Sequence, residues 1–233
     1  MEKQPQWQIG IDEAGRGPLA GPVAVGVVLV PGDFDWGLLP GVGDSKAISE
    51  KKREIIYKEA MVLAKTGKLI CTVEMASAKA IDKRGISLAI RECIDKGLKS
   101  VLAEAKDVSS RKDLELNKSQ PKSSQSSSRS FLELDWGMVE VKLDGSLKAP
   151  DYCVHQETII KGDAKEKVIG LASILAKVTR DSYMRRVALR PAFAPYYFSQ
   201  HKGYGTASHR RAIAEHGLSP EHRASYCKNI VML

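Results

Sequence analysis

The stretch WQIGIDEAGRGPLAGPVAVGVVLV, Trp7–Val30, reads as an apolar strand ending on two acids, a glycine-rich turn, and a second apolar, β-branched strand. Alternation places Asp12 on the face of Gly10 and Glu13 on the face of Ile11. The turn Gly15-Arg16-Gly17-Pro18 lets backbone approach a ligand closely. Its spacing is GxGxxxG, it contains a proline, and a strand follows it. A dinucleotide fingerprint needs GxGxxG opening a helix, so that reading fails.

Outward from this hairpin the periods alternate between strand and helix. Ser49 to Lys65 predicts a helix with Ser49 as N-cap, although Lys52 stands where a capping box prefers Glu. Leu69–Val73 predicts a third strand. Ile86–Ala105 predicts a helix with its apolar stripe at Ile86, Ile90, Ile94, Leu98 and Val101/Leu102. Met138–Asp144 alternates as a fourth strand and Tyr152–Ile160 as a fifth. Ala164–Leu189 predicts one long helix, with Asp163 and Glu166 as its capping pair. The rest reads as short helical pieces broken by Gly and Pro. The expected architecture is an α/β sandwich over 1–190 carrying a helical extension over 191–233. Lys106 to Ser130 departs from it, with 7 serines among the 12 residues Ser119–Ser130. So polar a segment buries too little to offset its ordering entropy and is expected to be a flexible insertion.

With 233 residues, 43% hydrophobic and 27% charged, the chain can bury one sizeable core. No run approaches the roughly 20 apolar residues of a membrane helix, and Met1–Gln8 holds no apolar signal segment. Cys71, Cys93, Cys153 and Cys227 are scattered without a CxxC pair, as expected for reduced thiols of a cytoplasmic protein. Net charge is +8, and Lys161–Lys228 holds 13 Lys/Arg against 5 Asp/Glu. The whole basic excess therefore lies in the C-terminal third, the footprint of a polyanion partner.

Four acids stand out. Asp12 and Glu13 end the first strand. Asp144 ends the fourth, opposite in face to Val139, Val141 and Leu143, and Gly145 permits a sharp turn after it. Asp181 is the next position on the helical stripe Val168, Leu171, Leu175, Val178, and a carboxylate there costs several kcal/mol (order of magnitude) unless a cation meets it. Hard oxygen donors without a His/Cys cluster suit Mg²⁺ or Mn²⁺ rather than zinc. His201, His209, His216 and His222 lack zinc spacing and read as surface or packing residues.

The series GIDEAGRGPLAGPV, DSK, LDG, ASILAKVTRD and HKGYGT, in that order, resembles bacterial ribonuclease HII, the type 2 ribonuclease H. The resemblance spans nearly the whole chain outside the Ser-rich insertion. It implies a ribonuclease H-like fold, a five-stranded mixed sheet flanked by helices with a helical C-terminal extension. It further implies that Asp12, Glu13, Asp144 and Asp181 hold two Mg²⁺ or Mn²⁺ ions. Gly15, Arg16 and Gly17 would recognise the ribose 2′-OH, Lys46 would hold a phosphate, and Tyr204 would pack on the nucleotide at an RNA-to-DNA junction. The implied activity is hydrolysis of the RNA strand of RNA–DNA hybrids and incision 5′ to single ribonucleotides in duplex DNA, as in ribonucleotide excision repair, by a monomer. A non-catalytic hybrid-binding module with the same fold is the alternative. Where the family has DSKxL this chain has DSKAI, a mild departure that touches none of the four acids.

Overall fold

A computed structural model describes residues 6–43, 48–116 and 136–231. Lys46 and the Ser-rich run 119–130 lie outside the described residues. Within them, β1 (Trp7–Ala14), β2 (Val23–Pro31), β3 (Ile70–Ala76), β4 (Val139–Asp144) and β5 (Gln156–Ile159) form one sheet in the order β3-β2-β1-β4-β5. β1 pairs antiparallel with β2 and parallel with β4, so the sheet is mixed, as the resemblance implied.

The period of two sorts the strand residues between two cores. Ile9, Ile11, Val25, Val27, Val141 and Leu143 face α3 (Ile86–Leu116) through its Ile90, Ile94, Leu98 and Val101. Val28 and Val30 point the other way, against α1 (Glu50–Lys65) and the long α5 (Lys167–Ala188). The Ser49 hydroxyl accepts from the Lys52 N–H at 3.2 Å, capping α1 as its sequence predicts.

Several boundaries differ from the sequence reading. β3 begins at Ile70 and runs on to Ala76, following its pairing with β2. A short helix α2 (Ala78–Arg84), capped by Ser77, has too few turns to show a period. α3 continues past Ala105 to Leu116, into the segment expected to be a flexible insertion. β5 is four residues long, because Pro150–Cys153 closes a turn in which the Cys153 N–H donates to the Pro150 carbonyl at 3.0 Å.

The long helix is interrupted. α4 (Gly162–Lys165) precedes α5, and Glu166 between them is extended at φ −117° and ψ 115°. Asp163 and Glu166 are therefore not the capping pair expected. Glu166 caps nothing with its side chain and pairs with Lys142 at 2.9 Å, while Asp163 is buried.

The C-terminal segment folds back on the glycine-rich turn. α6 (Phe198–His201), α7 (Ala207–His216) and α8 (Ala224–Val231) surround it. Leu19 N–H donates to the Gly203 carbonyl at 2.9 Å, and Arg223 N–H to the Leu19 carbonyl at 2.8 Å.

Candidate active site

Parallel pairing brings two strand ends together. Ile11 is opposite Leu143, so Asp12 and Asp144 each follow one residue later on neighbouring strands, both on the α5 side of the sheet. α5 can approach that side because two adjacent strands carry glycine where it crosses. A Cβ on Gly10 would lie 2.3 Å from the Val168 carbonyl oxygen, and one on Gly26 2.2 Å from that of Ala172. The close crossing puts Ser173 over Asp12, where its hydroxyl bonds the carboxylate.

Asp12 is 4% exposed, and its Oδ1 also accepts from the Glu13 N–H at 2.6 Å. Burial pushes its carboxyl up to about 8, and the nearby charges of Glu13 and Asp144 push the same way. Glu13 is raised as well, first by burial and also by Asp144, with Arg16 at 3.0 Å opposing the shift. Asp144 Oδ1 is held by the Gly162 N–H at 2.6 Å. Asp12, Glu13 and Asp144 thus form a crowded anionic corner.

Asp181 is the fourth acid that the sequence expects here. It is 6% exposed, as its place on the apolar stripe implied, but the cation that meets it is its own helix's Lys177 at 3.0 Å, with Arg180 4.0 Å away. Asp163 is the acid that periodicity misplaced. It is 4% exposed and directly follows Gly162, whose N–H holds Asp144. The signal was Gly162 itself, which starts a separate short helix rather than a continuous one.

The glycine turn is gripped by two buried arginines that the sequence reading did not single out. Arg180 donates to the carbonyls of Pro22, Ala20 and Lys202 at 2.8–3.0 Å. Arg223 donates to those of Gly21, Arg16 and Gly15 at 2.7–3.0 Å. Five carbonyls between residues 15 and 22 are thereby fixed, each by a charge-assisted bond. Gly15 has φ +92°, and a Cβ there would sit 2.0 Å from Arg180 Nε. A methyl at Gly15 would therefore strike the arginine clamp. No atom lies within 4 Å of a Cβ built on Gly17.

A cleft of about 390 Å³ opens beside these acids, lined by Glu13, Gly15, Arg53, Ser173, Lys177 and Tyr204. Tyr204 is 43% exposed, with Lys177 Nζ 5.6 Å and Arg180 Cζ 5.7 Å from its ring centre. Cations, an aromatic face and the Glu13 carboxylate in one cleft match the contacts that a phosphodiester, a base or sugar, and a divalent cation would require. Among the described residues no three His, Cys, Asp or Glu side chains are close enough to hold a metal ion by themselves. The carboxylate corner still fits a hard divalent cation, since its mutual repulsion is what such an ion relieves.

Comparison with known proteins gives a consistent result. Residues 9–229 match the family model for ribonuclease HII. A ribonuclease HII of Endomicrobium trichonymphae is 40% identical over 217 residues, 93% of this chain and 83% of that protein. Among solved structures, ribonuclease H2 of Pyrococcus horikoshii OT3 superposes with a TM-score of 0.57 at 22% identity, covering 96% of each chain. Bst-RNase HIII in complex with Mn²⁺ superposes with a TM-score of 0.62 at 14% identity, over 99% of this chain and 71% of that one.

Proposed function

Because this chain belongs to the ribonuclease HII family, ribonucleases that act on RNA–DNA hybrids, we propose that it cuts on the 5′ side of a ribonucleotide, leaving a 3′-OH and a 5′-phosphate. Its substrates are continuous hybrids and duplex DNA carrying a single ribonucleotide. The observation that carries this reading is the corner of Asp12, Glu13 and Asp144 at a cleft that also presents Lys177, Arg53 and Tyr204.

Two Mg²⁺ or Mn²⁺ ions, when bound, supply Lewis-acid activation of water and stabilisation of the leaving oxygen. Asp12, Glu13 and Asp144 would hold them, with substrate phosphate completing the coordination. A solved relative carrying Mn²⁺ supports this cofactor class. For the fourth carboxylate the geometry favours Asp163, next to the residue that anchors Asp144, over Asp181, which Lys177 already neutralises. Ser173 and the Glu13 N–H orient Asp12. Arg53 and Lys177 attract the phosphodiester, and Tyr204 offers a stacking face for the nucleotide at the junction. The arginine clamp fixes the turn at Gly15, Arg16 and Gly17 for reading the 2′-OH.

The test is cleavage of a labelled duplex containing one ribonucleotide, with Mg²⁺, Mn²⁺ or EDTA, beside an all-DNA control. Metal-dependent cutting 5′ to the ribonucleotide, with the control intact, is expected. Asp144→Asn should lower the rate by about three orders of magnitude, the equivalent of roughly 4 kcal/mol, while hybrid binding persists. Cutting of the all-DNA duplex would replace this reading with a DNA nuclease. Binding without turnover in either metal would replace it with a non-catalytic module.

A further inference from the structure

Behind Tyr204 lie three buried histidines that the mechanism above does not use: His201, His209 and His222. Their hydrogen bonds fix every proton. His222 Nδ1 receives the Ser219 N–H at 2.9 Å, and an amide can only donate, so Nδ1 carries no hydrogen. The Ser219 hydroxyl, 2.8 Å away, donates to the same nitrogen. The neutral His222 ring therefore carries its proton on Nε2. That Nε2–H meets His209 Nε2 at 3.0 Å, which must accept. The proton of neutral His209 is then on Nδ1, where it donates to the Tyr204 carbonyl at 2.9 Å. His201 completes the support. Its Nδ1 accepts the Gly203 N–H at 3.1 Å, its Nε2–H donates to the Tyr196 carbonyl at 2.7 Å, and its ring stacks on His209 with centres 4.3 Å apart.

Both rings are neutral in the folded protein, since burial lowers His209 and His222 to about 4. The chain of donors has one direction: from Ser219 through His222 and His209 to Tyr204. The main chain of Tyr204 is thus held on both sides, its N–H by the His201 carbonyl at 2.9 Å and its carbonyl by His209 and the Thr206 N–H at 2.8 Å. A phenylalanine at His209 would fill the same space without the donor. Packing alone therefore does not account for a histidine there, and the directed bond does.

We propose that His209 and His222 are positioning residues that aim Tyr204 at the substrate, with His222 locking His209 in the tautomer that donates to the Tyr204 carbonyl. The inference rests on the proposed junction role of Tyr204.

The experiment compares cleavage of a single-ribonucleotide duplex with cleavage of a continuous hybrid, for wild type, Tyr204→Ala, His209→Phe and His209→Asn. His209→Phe should lower the junction-to-hybrid ratio about tenfold, the worth of one hydrogen bond. His209→Asn, whose amide can donate from the Nδ1 position, should recover most of it. Equal losses on both substrates in His209→Phe, while Tyr204→Ala shifts the ratio, would overturn the positioning role. An unchanged ratio in Tyr204→Ala would instead remove the junction reading on which the proposal stands. Imidazole ¹⁵N NMR of the wild-type protein tests the relay independently of any variant's folding. His209 should be the Nδ1–H tautomer and His222 the Nε2–H tautomer, and the reverse assignment for either would overturn the lock.

Discussion

Asp12 is the residue on which burial and charge act together most strongly. Its carboxyl titrates near 8 in the folded protein against 3.8 ordinarily, so across that window the folded chain keeps a proton that the unfolded chain has released. Stability without metal is therefore undiminished below about pH 4 and falls as pH rises toward 8. Asp12→Asn stays neutral throughout. In EDTA at pH 8 it should melt several degrees above wild type, with the gap closing near pH 4, and it should be inactive. A lower melting temperature at pH 8 would remove the crowding argument. The same corner separates Asp163 from Asp181. Asp163→Asn should lose about three orders of magnitude in rate, and Asp181→Asn no more than about tenfold. The reverse ranking, read from single-turnover cleavage, would restore Asp181 as the fourth carboxylate.

At the scale of elements, the crossing of α5 over β1 and β2 sets the depth of the site. Gly10 and Gly26 leave the helix backbone no room for a Cβ beneath it. Gly26→Ala should lift α5 locally, destabilise the fold by about 1–3 kcal/mol and move Ser173 away from Asp12. Denaturant unfolding and activity should therefore fall together. Full activity in a destabilised Gly26→Ala protein would show that helix height does not matter to the chemistry. The sequence announced the two strands through their apolar alternation and left the purpose of their glycines open, because close approach depends on what crosses above.

Across the whole molecule, the N-terminal turn and the C-terminal segment are one structure. Arg223 reaches carbonyls some two hundred residues earlier in the chain, and Arg180 joins the same turn to Lys202. Arg223→Met would leave three carbonyls without their charged donor and should cost at least about 3 kcal/mol. Discrimination between RNA-containing and all-DNA duplexes should weaken as well, since the clamped turn is the part proposed to read the 2′-OH. Destabilisation with discrimination intact would assign the clamp to folding alone.

The sequence by itself determined the strands, the main helices, the mixed sheet implied by the family motifs, and the placement of Asp12, Glu13 and Asp144 at strand ends. Those features follow from local period and from motif order, which a linear chain displays directly. Only the tertiary structure decided that Asp163 is buried directly after Gly162, whose N–H holds Asp144, while Asp181 pairs with Lys177, because the chain breaks at Glu166 instead of running on as one helix. It also decided that Arg180, Arg223 and the three histidines build the site from behind. Their partners are backbone carbonyls and amides, the Ser219 hydroxyl and one another. The physical reason is that a carbonyl's orientation and a histidine's tautomer are set by neighbours brought together in space, and neither leaves a period or composition for the sequence to show.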